Sequence, residues 1–328
     1  MALRVVRYRR LGKTGWGIAA AGRIALLSDD YATTGEFLRD GAVRARALNA
    51  AGADFLLREA DVEILSPVTR NQQYVCQGVN YRDHRREVGL SPTHKRFNMI
   101  FRKASSSLSP PNAAIVRPPG VKLLDYELEL ALVIGREITS PLTVTEDRLH
   151  EFVAGLVITN DVSARDIQLP QQQFYKGKSF RSFAPTGPYL CLLDAVDVRR
   201  IPELRLVLSV NGVVRQNTLA GEMIYGPAET LSELSRVMDL FPGDLIATGT
   251  PAGVALRSPG PFLIRLAGLL PDDLRWKLFL KQQQRSGRYL KPGDAVRAAI
   301  RSDDGALDLG VQENRVVAAE GDRLVHDF

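Results

Sequence analysis

The chain has 328 residues, 45% of them hydrophobic and 24% charged, a composition that can bury a large core. No uninterrupted apolar run approaches the ~18 residues of a membrane span, and the basic, Ala-rich start is broken by Gly17, Gly22 and Arg23, so neither a membrane segment nor a signal-peptide core is expected. The net charge of +6 comes from scattered Lys and Arg, with no aromatic-interleaved stripe and no zinc-finger spacing; nucleic acid is therefore not an expected partner, and a small anionic ligand accounts for the sign.

Cys76 and Cys191 are too few for a disulfide framework, which points to a reducing, cytoplasmic setting. Residues 1–70 read as a small N-terminal unit. Short strand-like patches at Val5–Arg10 and Trp16–Leu27 are separated by glycines. Thr34-Gly35-Glu36 turns into a helix, and Ser66-Pro67 closes the segment. Residues 71–328 then form the larger domain.

Tyr74–Val79 is a short apolar strand that turns at Asn80 into YRDHRREVG. There His84 and Glu87 stand at i and i+3 and share a helix face. A carboxylate beside an imidazole orients it and raises its basicity, which is how a general base for water is commonly built; a salt-bridged surface turn has the same spacing. Met99–Arg102 is a further strand, leading into a Ser/Pro-rich loop.

KLLDYELELALVIG, residues 122–135, reads as one strand. Leu128, Leu130 and Leu132 fall on one side, and Glu127 and Glu129 on the other, ~7 Å apart along the chain. Paired carboxylates in an apolar strand repel each other and lose solvation, and a hard divalent cation removes both problems. Asp125 is in phase with the pair, as a fourth acid or as an exposed strand end. A second apolar run, Phe152–Thr159, ends in Asn160-Asp161. Asp161 suits a third ligand and equally a helix N-cap.

Gly177-Lys178-Ser179-Phe180 reads as an irregular loop, where Lys178 beside acids could stabilise a developing oxyanion. Asn211-Gly212 after the alternating Leu204–Val210 predicts a type I′ hairpin. Pro227 opens a helix to Asp239, and Gly249-Thr250-Pro251 follows the strand Leu245–Thr248. Between Val254 and Leu290 the pattern predicts a basic amphipathic helix carrying Leu270, Leu274, Trp276 and Leu278.

In order, NYRDHRREVG, DYELEL, NDVSARDIQ, GKSF, PTGP, NGVVRQ, PGDLIATGTPAGV and LKPGD resemble the fumarylacetoacetate hydrolase family. The resemblance implies an α+β fold, a β-rich mixed sheet rolled into a sandwich, with a small N-terminal α+β domain and a homodimer. It also implies that Glu127, Glu129 and Asp161 hold Mg²⁺ or Mn²⁺. His84 and Glu87 become a water-activating dyad with Lys178, and Arg165, Gln168 and Thr250 line the substrate site. The implied reaction is metal-dependent hydrolysis of a carbon–carbon bond in a 1,3-dicarbonyl 2-oxo acid. Decarboxylation, hydration or isomerisation of a 2-oxo acid is the alternative on the same scaffold. A silent metal-sensing or scaffold role for the basic helix fits poorly with an intact acidic set and dyad. The chain departs from the family pattern at Arg181 in KSFRSFAP, where relatives carry Asp, at Ala104 where Pro is usual, and in a longer segment at about 255–290.

Overall fold

The computed structural model describes residues 2–92, 97–258 and 270–320. Among these, hydrogen bonding gathers the strands into an eleven-stranded sheet, a five-stranded sheet and two short pairs. Antiparallel pairs predominate, but Leu245–Ala247 runs parallel to Tyr74–Gly78 and Asp308–Ala318 parallel to Ile115–Arg117, so both large sheets are mixed. With short helices between the strands, the fold is α+β and sheet-rich, as the sequence pattern implies.

The strand Leu128–Ile134 lies near the middle of the large sheet. It pairs with Val153–Asn160 on one side and with Leu245–Ala247 on the other. Every residue of it is buried. Leu128, Leu130 and Leu132 enter a cluster with Leu206, Leu208 and Ile300 of the five-stranded sheet. Ala131 and Val133, on the opposite face, pack with Val5, Trp16, Ile18 and Phe37 from the N-terminal residues. A strand covered on both faces normally reads as continuously apolar, which makes a carboxylate at position 129 expensive unless something compensates it.

The N-terminal residues do not form a sheet of their own. Leu3–Arg10 pairs with Tyr189–Leu192 in the large sheet, with Val5 opposite Leu190. One buried cluster, Val6, Tyr8, Ala19, Ile24 and Leu57, is N-terminal, and another joins Val5, Trp16 and Phe37 to later strands. The expected hairpin is present: Asn211 has φ 51° and Gly212 φ 79°, the two positive values that a type I′ turn requires.

Two local expectations are corrected. Residues 122–135 are two strands, Leu124–Asp125 and Leu128–Ile134, with a break at Tyr126-Glu127. The backbone N–H of Glu127 donates to Asn160 Oδ1 at 3.0 Å, and that of Leu128 to Gln216 Oε1 at 3.0 Å. Side-chain acceptors thus replace strand partners there, and Leu124–Asp125 leaves to pair with Ser163–Ala164. The second correction is the helix opened by Pro227, which ends at Leu234 rather than Asp239.

The basic helix is found at Asp272–Arg285, with Trp276 and Phe279 stacked at 5.3 Å. Within the segment at about 255–290, residues 259–269 lie outside the described residues. No helix of the described residues is long and apolar enough to cross a membrane.

Candidate active site

The break at Tyr126-Glu127 turns Glu127 toward two neighbours of different origin. The backbone N–H of Asp161 donates to the Glu127 carbonyl at 2.8 Å, joining the end of Val153–Asn160 to the kink. Glu129 follows on the intact strand. As a result Glu127, Glu129 and Asp161 present oxygens that all lie within 4.8 Å of one another, and all three are buried. The helix Arg165–Gln171 starts after Ala164, so Asp161 is not a helix cap.

Cations surround this triad unevenly. Lys178 Nζ donates to Glu127 Oε2 at 2.6 Å, to Asp161 Oδ2 at 2.7 Å and to Ser163 Oγ at 2.8 Å. It ends the short helix Phe174–Lys178, which corrects the expected irregular loop. Lys103, fully buried at its side chain, donates to the other oxygen of Asp161 and to the Phe183 carbonyl at 2.8 Å. Arg165 donates from Nε to Asp125 at 2.9 Å, from Nη1 to Gln168 at 2.9 Å, and from Nη2 to Glu127. Glu129 is different. Its one protein donor among the described residues is the Gly249 backbone N–H, at 3.0 Å.

The carboxyls respond accordingly. Burial pushes Glu129 well above the ordinary value, and the adjacent Asp161 and Glu127 push it further. Burial acts on Glu127 in the same direction, but Arg165 and Lys178 outweigh it and hold that carboxyl well below its ordinary value. Burial alone would depress Lys178, yet Asp161 and Glu127 keep it raised and charged.

Asp125 is not an exposed strand end. It is fully buried and accepts from Arg165, from the Ala255 N–H at 2.7 Å and from the Leu256 N–H at 3.0 Å. It anchors both the Arg165 guanidinium and the start of the 255–290 segment.

His84 and Glu87 lie on the helix Arg82–Glu87, with His84 Nδ1 3.4 Å from Glu87 Oε2. Glu87 also accepts the Gly253 N–H at 3.0 Å and an N–H of Arg257. Burial would raise the Glu87 carboxyl, but these hydrogen bonds, led by that from His84, hold it below its ordinary value. A cavity of about 300 Å³ brings His84, Glu127, Glu129, Arg165, Gln168, Lys178 and Thr250 to one space, lined also by Phe101, Phe174 and Phe279.

Thr250 lines this cavity, but its hydroxyl donates to the Leu128 carbonyl at 3.0 Å and accepts from Gln216 Nε2 at 2.8 Å. Arg181 is exposed and does not line the cavity. The sequence reading missed Lys103, Gly253 and Arg257. Lys103 follows directly on the strand Met99–Arg102, and a lysine entering the core beside a strand end was the available signal. Nothing in the sequence pairs Arg257 with Glu87.

An acidic triad, a His–Glu pair and an interior lysine, gathered around one cavity of a mixed-sheet fold, define a class of small-molecule enzyme. Residues 73–317 match the family model described as "Fumarylacetoacetate (FAA) hydrolase C-terminal", and the chain belongs to the fumarylacetoacetate hydrolase family. It is 38% identical over 233 residues to oxaloacetate tautomerase FAHD2A, mitochondrial, of Bos taurus, covering 70% of this chain and 72% of the relative. The fumarylacetoacetate hydrolase of Exiguobacterium antarcticum superposes with a TM-score of 0.68 at 28% identity, covering 97% of this chain and 100% of that one. A 2-hydroxyhepta-2,4-diene-1,7-dioate isomerase from Mycobacterium marinum shares the fold at a TM-score of 0.67 and 24% identity, covering 98% and 100%. The family thus contains hydrolases, isomerases and tautomerases.

Proposed function

We propose that the protein is a divalent-metal-dependent enzyme that hydrolyses a carbon–carbon bond in a small 1,3-dicarbonyl 2-oxo acid of the acylpyruvate type. The observation that carries this reading is that His84, with Glu87 behind it, lines the same cavity as Glu127 and Glu129, the two triad carboxylates grouped with Asp161. Glu129 supplies the fit test for a metal. It is a buried carboxyl beside two others, and no cationic side chain of the described residues reaches it. An oxygen-only donor set suits Mg²⁺ or Mn²⁺, held by Glu127, Glu129 and Asp161. Bound there, the ion would supply Lewis-acid neutralisation of charge on the oxygens of a 2-oxo acid.

The side chains supply the rest. With Nδ1 turned to Glu87, the ring of His84 has Nε2 free to take a proton from water. The hydroxide adds to the carbonyl farther from the acid end. The carbon–carbon bond breaks, its electron pair goes to the pyruvate fragment as an enolate, and the proton returns to carbon. Lys178 brings an interior positive charge to that fragment. Arg165 has three of its five N–H groups directed at Asp125, Gln168 and Glu127; the other two are what it can offer a substrate carboxylate.

The identity to an oxaloacetate tautomerase favours a second reading, in which His84 moves a proton between carbon and enol oxygen, so that a C–H bond is exchanged for an O–H bond and no carbon–carbon bond breaks. One experiment separates the two. Purified protein with Mg²⁺ or Mn²⁺ is given acylpyruvates and enol-oxaloacetate, and products are followed by proton NMR. Matched release of pyruvate and a carboxylic acid supports hydrolysis. Accelerated enol–keto exchange without cleavage supports tautomerisation. Wild-type cleavage by His84→Ala would remove the dyad from the mechanism.

A further inference from the structure

We infer that Gln283 is a positioning residue for His84, acting through Arg257 and Glu87. The inference rests on the reading of His84 as the base. Gln283 lies near the end of the helix Asp272–Arg285 and is 3% exposed, while its neighbours Lys281, Gln282, Gln284 and Arg285 are exposed. A primary amide withdrawn from water must find partners for both its ends. Its Nε2 donates to the Arg257 carbonyl at 2.8 Å. Its Oε1 accepts the Tyr289 hydroxyl at 2.8 Å and the Arg257 N–H at 3.4 Å. One side chain therefore takes both backbone polar groups of Arg257, as an adjacent strand would.

That grip matters because of where the Arg257 side chain goes. Its guanidinium donates to Glu87 Oε1, while Oε2 of the same carboxylate faces His84 Nδ1 at 3.4 Å. The Gly253 N–H supplies the only other hydrogen bond to Glu87 seen among the described residues. The Glu87 side chain is 17% exposed, so without Arg257 it has solvent to turn into. A carboxylate fixes which imidazole nitrogen carries the proton only while it is itself fixed. Gln283 and Arg257 both belong to the segment at about 255–290 that departs from the family pattern, and this chain gives that segment a task at the dyad.

The test uses the full-length protein with Gln283→Leu, Arg257→Met and Arg257→Lys, and Gln282→Leu as the exposed control on the same helix. Acylpyruvate kinetics with Mn²⁺ give kcat and KM separately. Nitrogen-15 spectra of the histidine rings, at about pH 8 where an ordinary imidazole is neutral, report the tautomer directly; the chain has four histidines, and His84→Gln assigns the relevant signal. Gln283→Leu and Arg257→Met are expected to lower kcat about tenfold with KM little changed, and to reduce the Nδ1–H form of His84. Arg257→Lys should recover part of both, and Gln282→Leu should match wild type. The double variant should be no worse than Arg257→Met alone, because both changes act along one path. Wild-type kcat and ring signals in Arg257→Met overturn the inference. They do so even if Gln283→Leu fails to fold, because the Arg257 side chain is 38% exposed and its loss leaves no core cavity. If wild type cleaves no acylpyruvate, the proposed reaction fails, while the ring signals still decide the positioning role.

Discussion

Lys103 and Asp161 form an ion pair whose side chains are both 0% exposed, and the lysine contributes to the site from the strand-end after Met99–Arg102. The second oxygen of the same carboxylate takes Lys178. Asp161 therefore carries two lysines while Glu129 carries none. Removing one partner of a buried pair typically costs ~3–5 kcal/mol. Lys103→Met should lose about that much in a urea melt of the metal-free protein. Adding Mn²⁺ should recover part of the loss, because binding to the native state alone adds stability by mass action. A variant as stable as wild type without metal would show that Lys103 is not needed to compensate Asp161.

Glu129→Gln should behave in the opposite way. It removes a carboxyl that burial and two acidic neighbours already drive toward its neutral form. The metal-free variant should melt at or above the wild-type temperature, and it should lose the stabilisation that Mn²⁺ gives wild type, together with activity. Differential scanning calorimetry with and without Mn²⁺ reads both effects. An undiminished Mn²⁺ shift would take Glu129 out of the metal set.

Gly253 cannot be exchanged without moving Glu87. Its φ is +111°, and a Cβ there would stand 1.9 Å from the Arg215 carbonyl oxygen. The left-handed backbone and the collision together predict that Gly253→Ala costs ~3 kcal/mol. The same change should lower kcat, since the displaced amide is a donor to Glu87. Denaturant midpoints and steady-state kinetics measured on one preparation test the two effects together.

Thr250 separates a structural from a substrate role. Its hydroxyl both donates to the Leu128 carbonyl and accepts from Gln216. Thr250→Val should cost ~2 kcal/mol through the partners it strands, and Thr250→Ser should cost much less. A raised KM in Thr250→Val at unchanged stability would instead place the hydroxyl on the substrate.

Much of this site was legible before any coordinates. The Glu127/Glu129 spacing and Asp161 at a strand end give one cluster of carboxylates, and His84, paired at i, i+3 with Glu87, lines the cavity that Glu127 and Glu129 also line. Local rules suffice for these residues, because strand alternation and helix periodicity set their directions. The kink at Tyr126-Glu127 was not legible, since it depends on Asn160 and Gln216 supplying acceptors from distant strands. The same is true of Lys103, Arg257 and Gln283, whose partners are 58, 170 and 26 residues away. Pairings of that range leave no periodic trace. The N-terminal strands are legible because they pair locally, Leu3–Arg10 with Lys13–Ala20 and Glu63–Leu65, whereas the pairing of Leu3–Val6 with Tyr189–Leu192 spans more than 180 residues and is not.

The buried charges around the triad carry one further implication. Asp125, Glu127, Glu129 and Asp161 stand against Lys103, Lys178 and Arg165, so that full ionisation leaves one negative charge in excess. Burial and the neighbouring Asp161 and Glu127 push the Glu129 carboxyl toward its neutral form, against that excess. A divalent ion held by the triad would invert the balance to one positive charge, and the monoanionic 2-oxo acid of the proposed reaction would bring the interior back to electroneutrality. A dianion overshoots it. Under the proposed reading, the charge of the core therefore favours ligands with a single carboxylate before shape is considered.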